Sequence, residues 1–487
     1  MIQKVKKKYN LFPVQLKASF WFLICSFLQK GISSITTPIF TRLMSTTEYG
    51  NYNAFSSWLS IITIFVSLHL YSGVYTSGLV KFKEERAIFA SSLQGLSITL
   101  TIIWTVIYLL FYRFWNNLIG LTTVQMLSML VMIWATSAFQ FWAAAERVEY
   151  KFRNLIIVTL IVSLLKPCIG IVFVLLAEDK VTGRVLGLVL AEVIGYTGLC
   201  ATQLKKGKVF YSQKYWKYAL RFNLPLIPHY LSQTVLSSAD RIMIRDMVGA
   251  SQAGIYGLAY SVSLIMTIFN SSLSNTVSPW MYQKIKNKKI ESIGSITYFT
   301  LVVIAVVNIF LIVLAPEVIA IFAPPAYHEA IWVIPPVAMS VYFMFMYDYF
   351  ARFELYYEKT TFMMMASIIG AGLNIVLNYI FIQKYGYIAA GYTTLVCYIF
   401  YVAGHYYMMR KICNEHLKGA NAFQLRVIVV ISVAFMASGF LAMSTYRYIY
   451  MRYGLLVIAL AVCFWKREKI KTNISIILHL KKEVKAT

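Results

Sequence analysis

Residues 154–177 read NLIIVTLIVSLLKPCIGIVFVLLA, a run of 24 residues in which Lys166 carries the one charged side chain. A helix of about 20 predominantly apolar residues is long enough to cross the hydrocarbon core of a bilayer. Thirteen other apolar runs of comparable length follow one another along the chain. The sequence therefore predicts an all-α polytopic membrane protein with about 14 transmembrane helices.

The predicted spans cover most of the chain, and the last two are short enough that the final one is also compatible with a re-entrant segment. They lie at 18–41, 52–77, 88–112, 119–144, 154–177, 183–203, 219–245, 253–280, 293–316, 329–351, 361–383, 387–409, 424–443 and 448–465.

The composition excludes the main soluble classes. The 487 residues are 59% hydrophobic and 13% charged, with 35 Tyr, 32 Phe and 10 Trp, whereas a soluble domain has about a quarter charged residues. No loop is long enough for a catalytic domain, and no phosphate-binding GxxxxGK[ST] motif is present. The six cysteines and six histidines lack metal-ligand spacing. We therefore expect no catalytic residues, no cofactor and no metal site.

The charge balance predicts the topology. The net charge is +26, from 45 Lys and Arg against 19 Asp and Glu. With the N-terminus inside, 34 of the basic residues fall in cytoplasmic segments and nine in external ones. Cytoplasmic loops of membrane proteins are enriched in Lys and Arg, so we expect both termini to be cytoplasmic. The same rule explains the excess of basic residues without a nucleic acid partner.

A basic, aromatic stretch at 204–218 interrupts the apolar runs near the middle of the chain. This composition is typical of an amphipathic helix lying on the membrane surface. It divides the chain into five predicted parts: a six-helix bundle at 1–203, an interfacial cytoplasmic linker at 204–218, a second six-helix bundle at 219–411, two extra transmembrane helices at 412–465, and a basic cytoplasmic tail at 466–487.

A weak internal repeat supports this division. Residues 28–44 (LQKGISSITTPIFTRLM) and 231–247 (LSQTVLSSADRIMIRDM) are identical at five of seventeen positions. A Gly-x-Tyr motif follows each, at 50–52 and at 254–256. Transporters are often built from two such repeats. The recurrence at the same place in the topology predicts two halves of six helices in the same orientation.

Charged side chains within membrane spans are costly and are therefore functional candidates. Lys30 and Lys166 both lie about 12 residues into their predicted spans, near the middle of the bilayer. Together they predict a cationic cavity for an anionic substrate such as a phosphate. Alternatively, Lys166 pairs with Glu192 of the next span, or a lysine extends to the surface. Glu192 is either that partner or a proton carrier.

Other charged residues lie nearer the ends of the spans. Asp240 and Arg241, followed by Arg245, lie toward the outer end of the span 219–245, where they line a cavity mouth or form interfacial pairs. Asp348 lies at the cytoplasmic end of its span, as part of a gate or of a solvated helix end.

The span 361–383 carries a polar face. Asn374 and Asn378 are four residues apart and therefore share one side of the helix. Such a face lines a passage for sugars or joins helices by hydrogen bonds. We assign ion coupling to Glu192, Asp240 and Asp348, and substrate binding to Lys30, Lys166, Arg241, Arg245, Asn374 and Asn378.

Two segments resemble a known family. TRLMSTTEYGNYNAF at 41–55, and the segment 220–264 with its Pro-Leu-Ile-Pro, Ala-Asp-Arg and Gly-x-Tyr, are similar to the polysaccharide-transport branch of the multidrug/oligosaccharidyl-lipid/polysaccharide (MOP) exporter superfamily. Within it, the chain resembles the Wzx-type flippases of O-antigen or capsule repeat units. The quoted segments cover about 60 residues, and the layout of spans agrees over the whole chain.

The resemblance implies a MATE-like fold of two six-helix bundles around a central cavity that opens alternately to each side of a bacterial inner membrane. The implied substrate is an oligosaccharide linked to undecaprenyl pyrophosphate, moved at the expense of a cation or proton gradient. A polymerase and a chain-length regulator are implied partners, together with the lipid bilayer.

Three alternatives remain open. A peptidoglycan-precursor flippase would share the mechanism. An ion-coupled multidrug exporter would share the fold, but the excess of buried Lys that we expect over buried acid disfavours a site for cationic drugs. A membrane enzyme, such as a polymerase, would need a large external loop or a His/Asp pair at the membrane surface, and the sequence has neither feature.

Overall fold

The computed structural model describes residues 14–468, 471–472 and 475, and the regular secondary structure of this part is entirely helical. The predicted all-α class is confirmed. The chain forms two compact units that divide after Ser238. Most of the basic tail predicted at 466–487 lies outside the described residues.

The first unit contains a series of helices joined by short turns. In chain order they are α1 (Val14–Leu43), α2 (Thr46–Ser67), α3 (Gly73–Lys81), α4 (Arg86–Leu110), α5 (Tyr112–Ile119), α6 (Thr123–Val148), α7 (Phe152–Leu176), α8 (Lys180–Gly207), α9 (Gln213–Asn223) and the greater part of α10 (Ile227–Met247).

The second unit begins in the last part of α10. It continues with α11 (Ala250–Ser263), α12 (Met266–Lys286), α13 (Ile293–Val313), α14 (Ala315–Phe322), a 3-10 segment (Pro325–Trp332), α15 (Ile334–Tyr356), α16 (Thr360–Tyr385), α17 (Ala389–His416), α18 (Leu425–Ser444) and α19 (Ile449–Trp465).

The long helices coincide broadly with the predicted apolar runs, but some runs are divided. The run at 253–280 contains most of α11 and most of α12, and the run at 219–245 contains the end of α9 and most of α10.

The second run is divided most clearly. A capping box starts α2 early: the Glu48 backbone N–H donates to the Ser45 hydroxyl (3.2 Å), and the Ser45 N–H donates to the Glu48 carboxylate (2.7 Å). The helix then stops at Ser67, because Leu68 and His69 adopt left-handed backbone angles (φ 48° and 51°). The run predicted at 52–77 is therefore two helices.

A short helix overlaps the predicted interfacial stretch at 204–218, whose place on the membrane surface remains a prediction. Helix α8 extends to Gly207, and Lys208 ends it in a left-handed conformation (φ 56°). The amphipathic helix is α9, Gln213–Asn223, whose inner face buries Tyr215 and Ala219.

Aromatic rings hold α9 against the first unit. The Tyr75 ring of α3 lies 4.7 Å from that of Phe141 and 5.7 Å from that of Phe89, measured between centroids. The Tyr215 ring of α9 lies 5.3 Å from Phe89. Edge and offset contacts of this kind stabilise by about 0.5–1.5 kcal/mol beyond the burial of area. They fix α9 beside the first turns of α4.

Helix α15 is the central element of the second unit. Its side chains are buried around the whole circumference, from Ile334 to Glu354. A helix that is apolar on all sides is surrounded by other helices. Buried polar side chains of α15, such as Glu354, consequently meet partners on neighbouring helices, whereas the Asp348 side chain is 40% exposed.

Within the described residues, eight helical segments are long and apolar enough to cross a membrane, or nine if the bent pair formed by the 3-10 segment and α15 counts as one. The chain is thus a multi-span membrane protein. The count of about 14 and the orientation of the termini remain predictions, as does the five-part domain division.

Candidate functional site

Helices α7 and α8 approach closely at two glycines. A Cβ atom added to Gly187 would lie 2.7 Å from the Cα of Gly170, so a larger residue would collide with backbone. Lys166 lies one turn before Gly170, and Glu192 lies five residues after Gly187. Since consecutive helices joined by a short turn run antiparallel, both displacements lead in the same direction. The glycine contact therefore brings Lys166 to Glu192.

Lys166 and Glu192 form an ion pair inside the first unit. The Lys166 Nζ lies 2.6 Å from Glu192 Oε1, and the Thr136 hydroxyl of α6 donates to Glu192 Oε2 (2.9 Å). The Glu192 side chain is 4% exposed, whereas that of Lys166 is 33% exposed. The structure thus shows the pairing alternative for Lys166, and it leaves a third of the Lys166 side chain exposed.

Lys30 has a different environment. It lies on α1 with its side chain exposed, and it forms no ion pair within the part of the chain that the structure describes. The predicted cavity with two lysines therefore remains a prediction, in which Lys166 is the less exposed of the two.

Aromatic side chains surround Arg184 at the start of α8. Its guanidinium carbon lies 3.5 Å from the centre of the Tyr52 ring, 4.0 Å from that of Phe40 and 5.4 Å from that of Tyr49. Cation–π contacts of this kind stabilise a desolvated guanidinium. Tyr52 is the tyrosine of the first Gly-x-Tyr motif, and its ring contacts the Arg184 guanidinium.

In the second unit, three hydrogen-bond donors from three helices converge on the carboxylate of Asp240, which is 1% exposed. The Tyr256 hydroxyl donates to Oδ2 (2.6 Å), and so does the Thr394 hydroxyl (3.2 Å). The Asn378 side-chain amide donates to Oδ1 at 3.5 Å. These bonds replace the water that a buried carboxylate loses. Tyr256, from the second Gly-x-Tyr motif, thus contacts a carboxyl group.

Asn374 and Asn378 extend this cluster along α16. Both side chains are fully buried, and the Asn378 amide also donates to Asn374 Oδ1 (3.2 Å). The Thr393 hydroxyl of α17 donates to Asn378 Oδ1. The geometry favours helix–helix hydrogen bonds for this pair, and it connects both residues to Asp240.

Two arginines follow Asp240 on α10. The Arg241 guanidinium lies over the Tyr260 ring, 5.0 Å from its centre. The Arg245 Nε donates to the neighbouring Asp246 (2.6 Å). Their predicted place at a cavity mouth remains a prediction.

Near the end of α15, two acidic residues separate into two environments. Asp348 pairs with Arg352, and the Ser274 hydroxyl of α12 donates to it (2.5 Å). Glu354 is fully buried, and its two oxygens lie 2.8 and 3.0 Å from Nδ1 of His405. The role of Asp348 in ion coupling remains a prediction. The partnership of Glu354 and His405 was not visible in the sequence.

The buried charges correct one sequence-based argument. Three acids are buried (Glu192, Asp240 and Glu354), but the buried bases of the described residues are two arginines (Arg352 and Arg452), and no lysine reaches full burial. The expected excess of buried Lys over buried acid is therefore not found. Lys166 itself keeps a third of its side chain exposed, although its ammonium group pairs with the buried Glu192.

Among the residues that the structure describes, no three His, Cys, Asp or Glu side chains are grouped to hold a metal.

The family model described as "Polysaccharide biosynthesis protein" matches residues 15–285, more than half of the chain. The chain belongs to this polysaccharide biosynthesis family. A second model, MatE, matches residues 225–380. Both agree with the MOP superfamily branch suggested by the segments 41–55 and 220–264.

A curated protein is similar to part of the chain. "Lsg locus putative protein 1" of Haemophilus influenzae is 24% identical over 294 residues, which cover 56% of this chain and 67% of the relative.

Solved structures show the fold of this family member. The lipid II flippase MurJ in an inward closed conformation superposes with a TM-score of 0.71 at 15% identity, over 92% of this chain and 99% of MurJ. A multidrug resistance MATE transporter of the MOP superfamily, in an inward-facing conformation, gives 0.62 at 14% identity, over 80% and 96%. A MOP superfamily transporter from Pyrococcus furiosus gives 0.51 at 14% identity, over 82% and 96%. The MATE-like fold is confirmed, and the protein is a membrane transporter of the MOP superfamily with a place in polysaccharide biosynthesis.

Proposed function

We propose that this transporter flips an oligosaccharide repeat unit, linked to undecaprenyl pyrophosphate, across the cytoplasmic membrane for the assembly of O-antigen, capsule or exopolysaccharide. Membership of the polysaccharide biosynthesis family supports the class of substrate. The observation that carries the proposal to a site is the ion pair of Lys166 and Glu192, in which the cation is the accessible partner.

The pair suits a pyrophosphate that must be bound and then released. An ammonium group forms strong charge-assisted hydrogen bonds with phosphate oxygens. Lys166 presents this group from the middle of a span. Glu192 holds the ammonium group in place, and Thr136 in turn donates a hydrogen bond to Glu192. When Lys166 binds a pyrophosphate in place of Glu192, Glu192 becomes a buried carboxylate without its cation, which is costly. Uptake of a proton by Glu192 would remove that cost, so the pair can link anion binding to proton movement.

The Asp240 cluster is the second part of the proposal. The side-chain oxygens of the cluster come from four helices, α10, α11, α16 and α17. A cation that enters there would replace the hydrogen bonds to Asp240 and draw these helices together. We assign ion coupling to Asp240 on this ground. Lys30, Arg241 and Arg245 remain candidates for contact with the sugar or the pyrophosphate. In this role the protein would supply repeat units to a polymerase and a chain-length regulator.

The experiment uses cells in which the gene is deleted and undecaprenyl-linked glycans are extracted after treatment with a membrane-impermeant probe. The deletion is complemented with the intact gene, with Lys166→Met/Glu192→Leu, or with Lys151→Met/Glu149→Leu. The first pair lies in the proposed site, whereas the second is an exposed ion pair of the same unit. Replacing a whole buried pair by apolar residues of similar size is often neutral for folding.

Complete repeat units that accumulate shielded from the probe, and that are cleared by the intact gene and the Lys151/Glu149 variant but not by the Lys166/Glu192 variant, support the proposal. Repeat units already exposed outside would indicate a polymerase instead. Shielded peptidoglycan precursor would identify a precursor flippase, and normal glycans with altered resistance to cationic dyes would identify a drug exporter.

A further inference from the structure

Helix α9 lies at the boundary between the bundle and water. It occupies the connection between the end of α8 at Gly207 and the start of α10 at Ile227. The Trp216 indole N–H donates to the carbonyl of Ser92 in the second turn of α4 (2.9 Å), and Tyr215 and Ala219 are buried beneath. A helix that runs across the ends of membrane spans lies in the headgroup region of the bilayer.

The opposite face of α9 forms an open groove with two cations. Lys217 and Arg221 are four residues apart, so they lie on one side of the helix, and both are exposed. The groove has a volume of about 730 Å³, and it is lined by Tyr211, Gln213, Trp216, Lys217, Leu220 and Arg221. Within the described residues, no ion pair joins Lys217 or Arg221 to an acid.

Lys214, on the same helix, differs from Lys217 and Arg221 because it is paired with an acid. Its Nζ is 2.8 Å from a carboxylate oxygen of Glu85, which also accepts a hydrogen bond from Tyr215. The hydrogen bond to Glu85 raises the pKa of Lys214 and holds its charge. Lys214 is therefore engaged within the protein, whereas the two cations of the groove are available to a ligand.

We propose that the α9 groove binds the phosphate of an anionic phospholipid from the surrounding bilayer. Lys217 and Arg221 bind the phosphate, and Leu220, Trp216 and Tyr211 contact the glycerol and the first carbons of the acyl chains. Charge complementarity identifies this occupant: anionic headgroups are abundant at the depth of α9, and each Lys or Arg at a membrane surface contributes about 1 kcal/mol to their attraction. Aromatic rings at the same level suit the interface.

This site is separate from Lys166 and from the glycan, so the test does not depend on the proposed substrate. The full-length protein is purified in a neutral detergent, and bound lipid is counted by native mass spectrometry during titration with phosphatidylglycerol or with phosphatidylcholine. The test variant is Lys217→Gln/Arg221→Gln. The matched control is Lys205→Gln/Lys206→Gln, which removes the same charge from the end of α8, outside the groove.

We expect one phosphatidylglycerol to bind in preference to phosphatidylcholine, and its affinity to fall roughly thirtyfold in the Lys217/Arg221 variant but little in the control. A third variant, Lys217→Arg/Arg221→Lys, keeps the charge and should keep the lipid, which separates binding from folding.

Three results would overturn the proposal. Equal binding of the two lipids would remove the role of charge. An equal loss of phosphatidylglycerol affinity in the Lys205/Lys206 control would show that the lipid binds a diffuse basic surface rather than the groove. Displacement of phosphatidylglycerol by undecaprenyl pyrophosphate at far lower concentration would make the groove a docking site for a polyprenyl-linked substrate rather than for a bilayer lipid.

Discussion

The Asp240 carboxyl group is held inside the second unit by hydrogen bonds from two hydroxyls and an amide. The Tyr256 hydroxyl makes the shortest of these hydrogen bonds (2.6 Å), and both groups are buried. Since a buried acceptor that loses its donor pays the cost of desolvation, the network is sensitive to the removal of a single oxygen.

We therefore expect Tyr256→Phe to destabilise the protein by about 1–3 kcal/mol, because it removes the donor to Asp240 while keeping the ring. The matched control is Tyr260→Phe. The Tyr260 ring stacks on Tyr256 with centroids 6.0 Å apart, and no hydrogen bond joins its hydroxyl to Asp240. The apparent unfolding temperature in detergent should fall for Tyr256→Phe and stay close to the wild-type value for Tyr260→Phe. Equal behaviour of the two variants would mean that this hydroxyl does not support Asp240.

At the scale of elements, the contact between α7 and α8 decides which intramembrane charges meet. Small residues let two transmembrane helices approach closely. Gly170 and Gly187 do this here, and Lys166 and Glu192 pair one turn away from them. The position of an ion pair is thus a consequence of two residues that carry no charge.

A pair of glycine substitutions on α8 tests this view. Gly187→Ala places a Cβ against the α7 backbone and should destabilise by about 1–3 kcal/mol through overpacking. Gly198→Ala lies on the same helix with nothing within 4 Å of its new Cβ, and it should be neutral or stabilising by up to about 1 kcal/mol.

The measurement is the apparent unfolding temperature of the two purified variants. Export of glycan should also fall in Gly187→Ala alone, because separation of α7 from α8 also separates Lys166 from Glu192. Tolerance of alanine at Gly187 in both assays would show that the close approach is dispensable.

At the scale of the whole molecule, the orientation in the membrane follows from the distribution of basic residues, which predicts that the turn after α5 is outside and the turn after α12 is inside. Asn117 lies in the last turn of α5 and Asn287 directly follows α12, and both are exposed. In a variant that lacks the six native cysteines, Asn117→Cys should react with an impermeant maleimide in intact cells. Asn287→Cys should react only after the membrane is permeabilised.

Mass shifts of the labelled protein provide the readout, and each variant is the control of the other. The reverse labelling pattern would invert the topology and would place the α9 groove on the outer surface. Labelling of neither site in intact cells would contradict the crossing pattern between α5 and α12.

Much of the fold was predictable from the sequence because a membrane restricts the possibilities. Backbone polar groups in hydrocarbon must be satisfied within the segment, so an apolar run of about 20 residues becomes a helix. The runs at 88–112 and 154–177 accordingly match α4 and α7. The break after Ser67 was not predictable, because the left-handed turn at Leu68 and His69 has neither glycine nor proline to mark it.

The sequence by itself determined that this chain is a multi-span helical membrane protein with charged residues at Lys166, Glu192 and Asp240 within its apolar runs. Apolar length and composition suffice for that conclusion, since they are local properties. Only the tertiary structure decided that Glu192 meets a lysine, whereas Asp240 meets hydroxyls and an amide. The rotation and depth of each helix determine such partners, and these depend on contacts, such as that of Gly187 with α7, between residues distant in the chain.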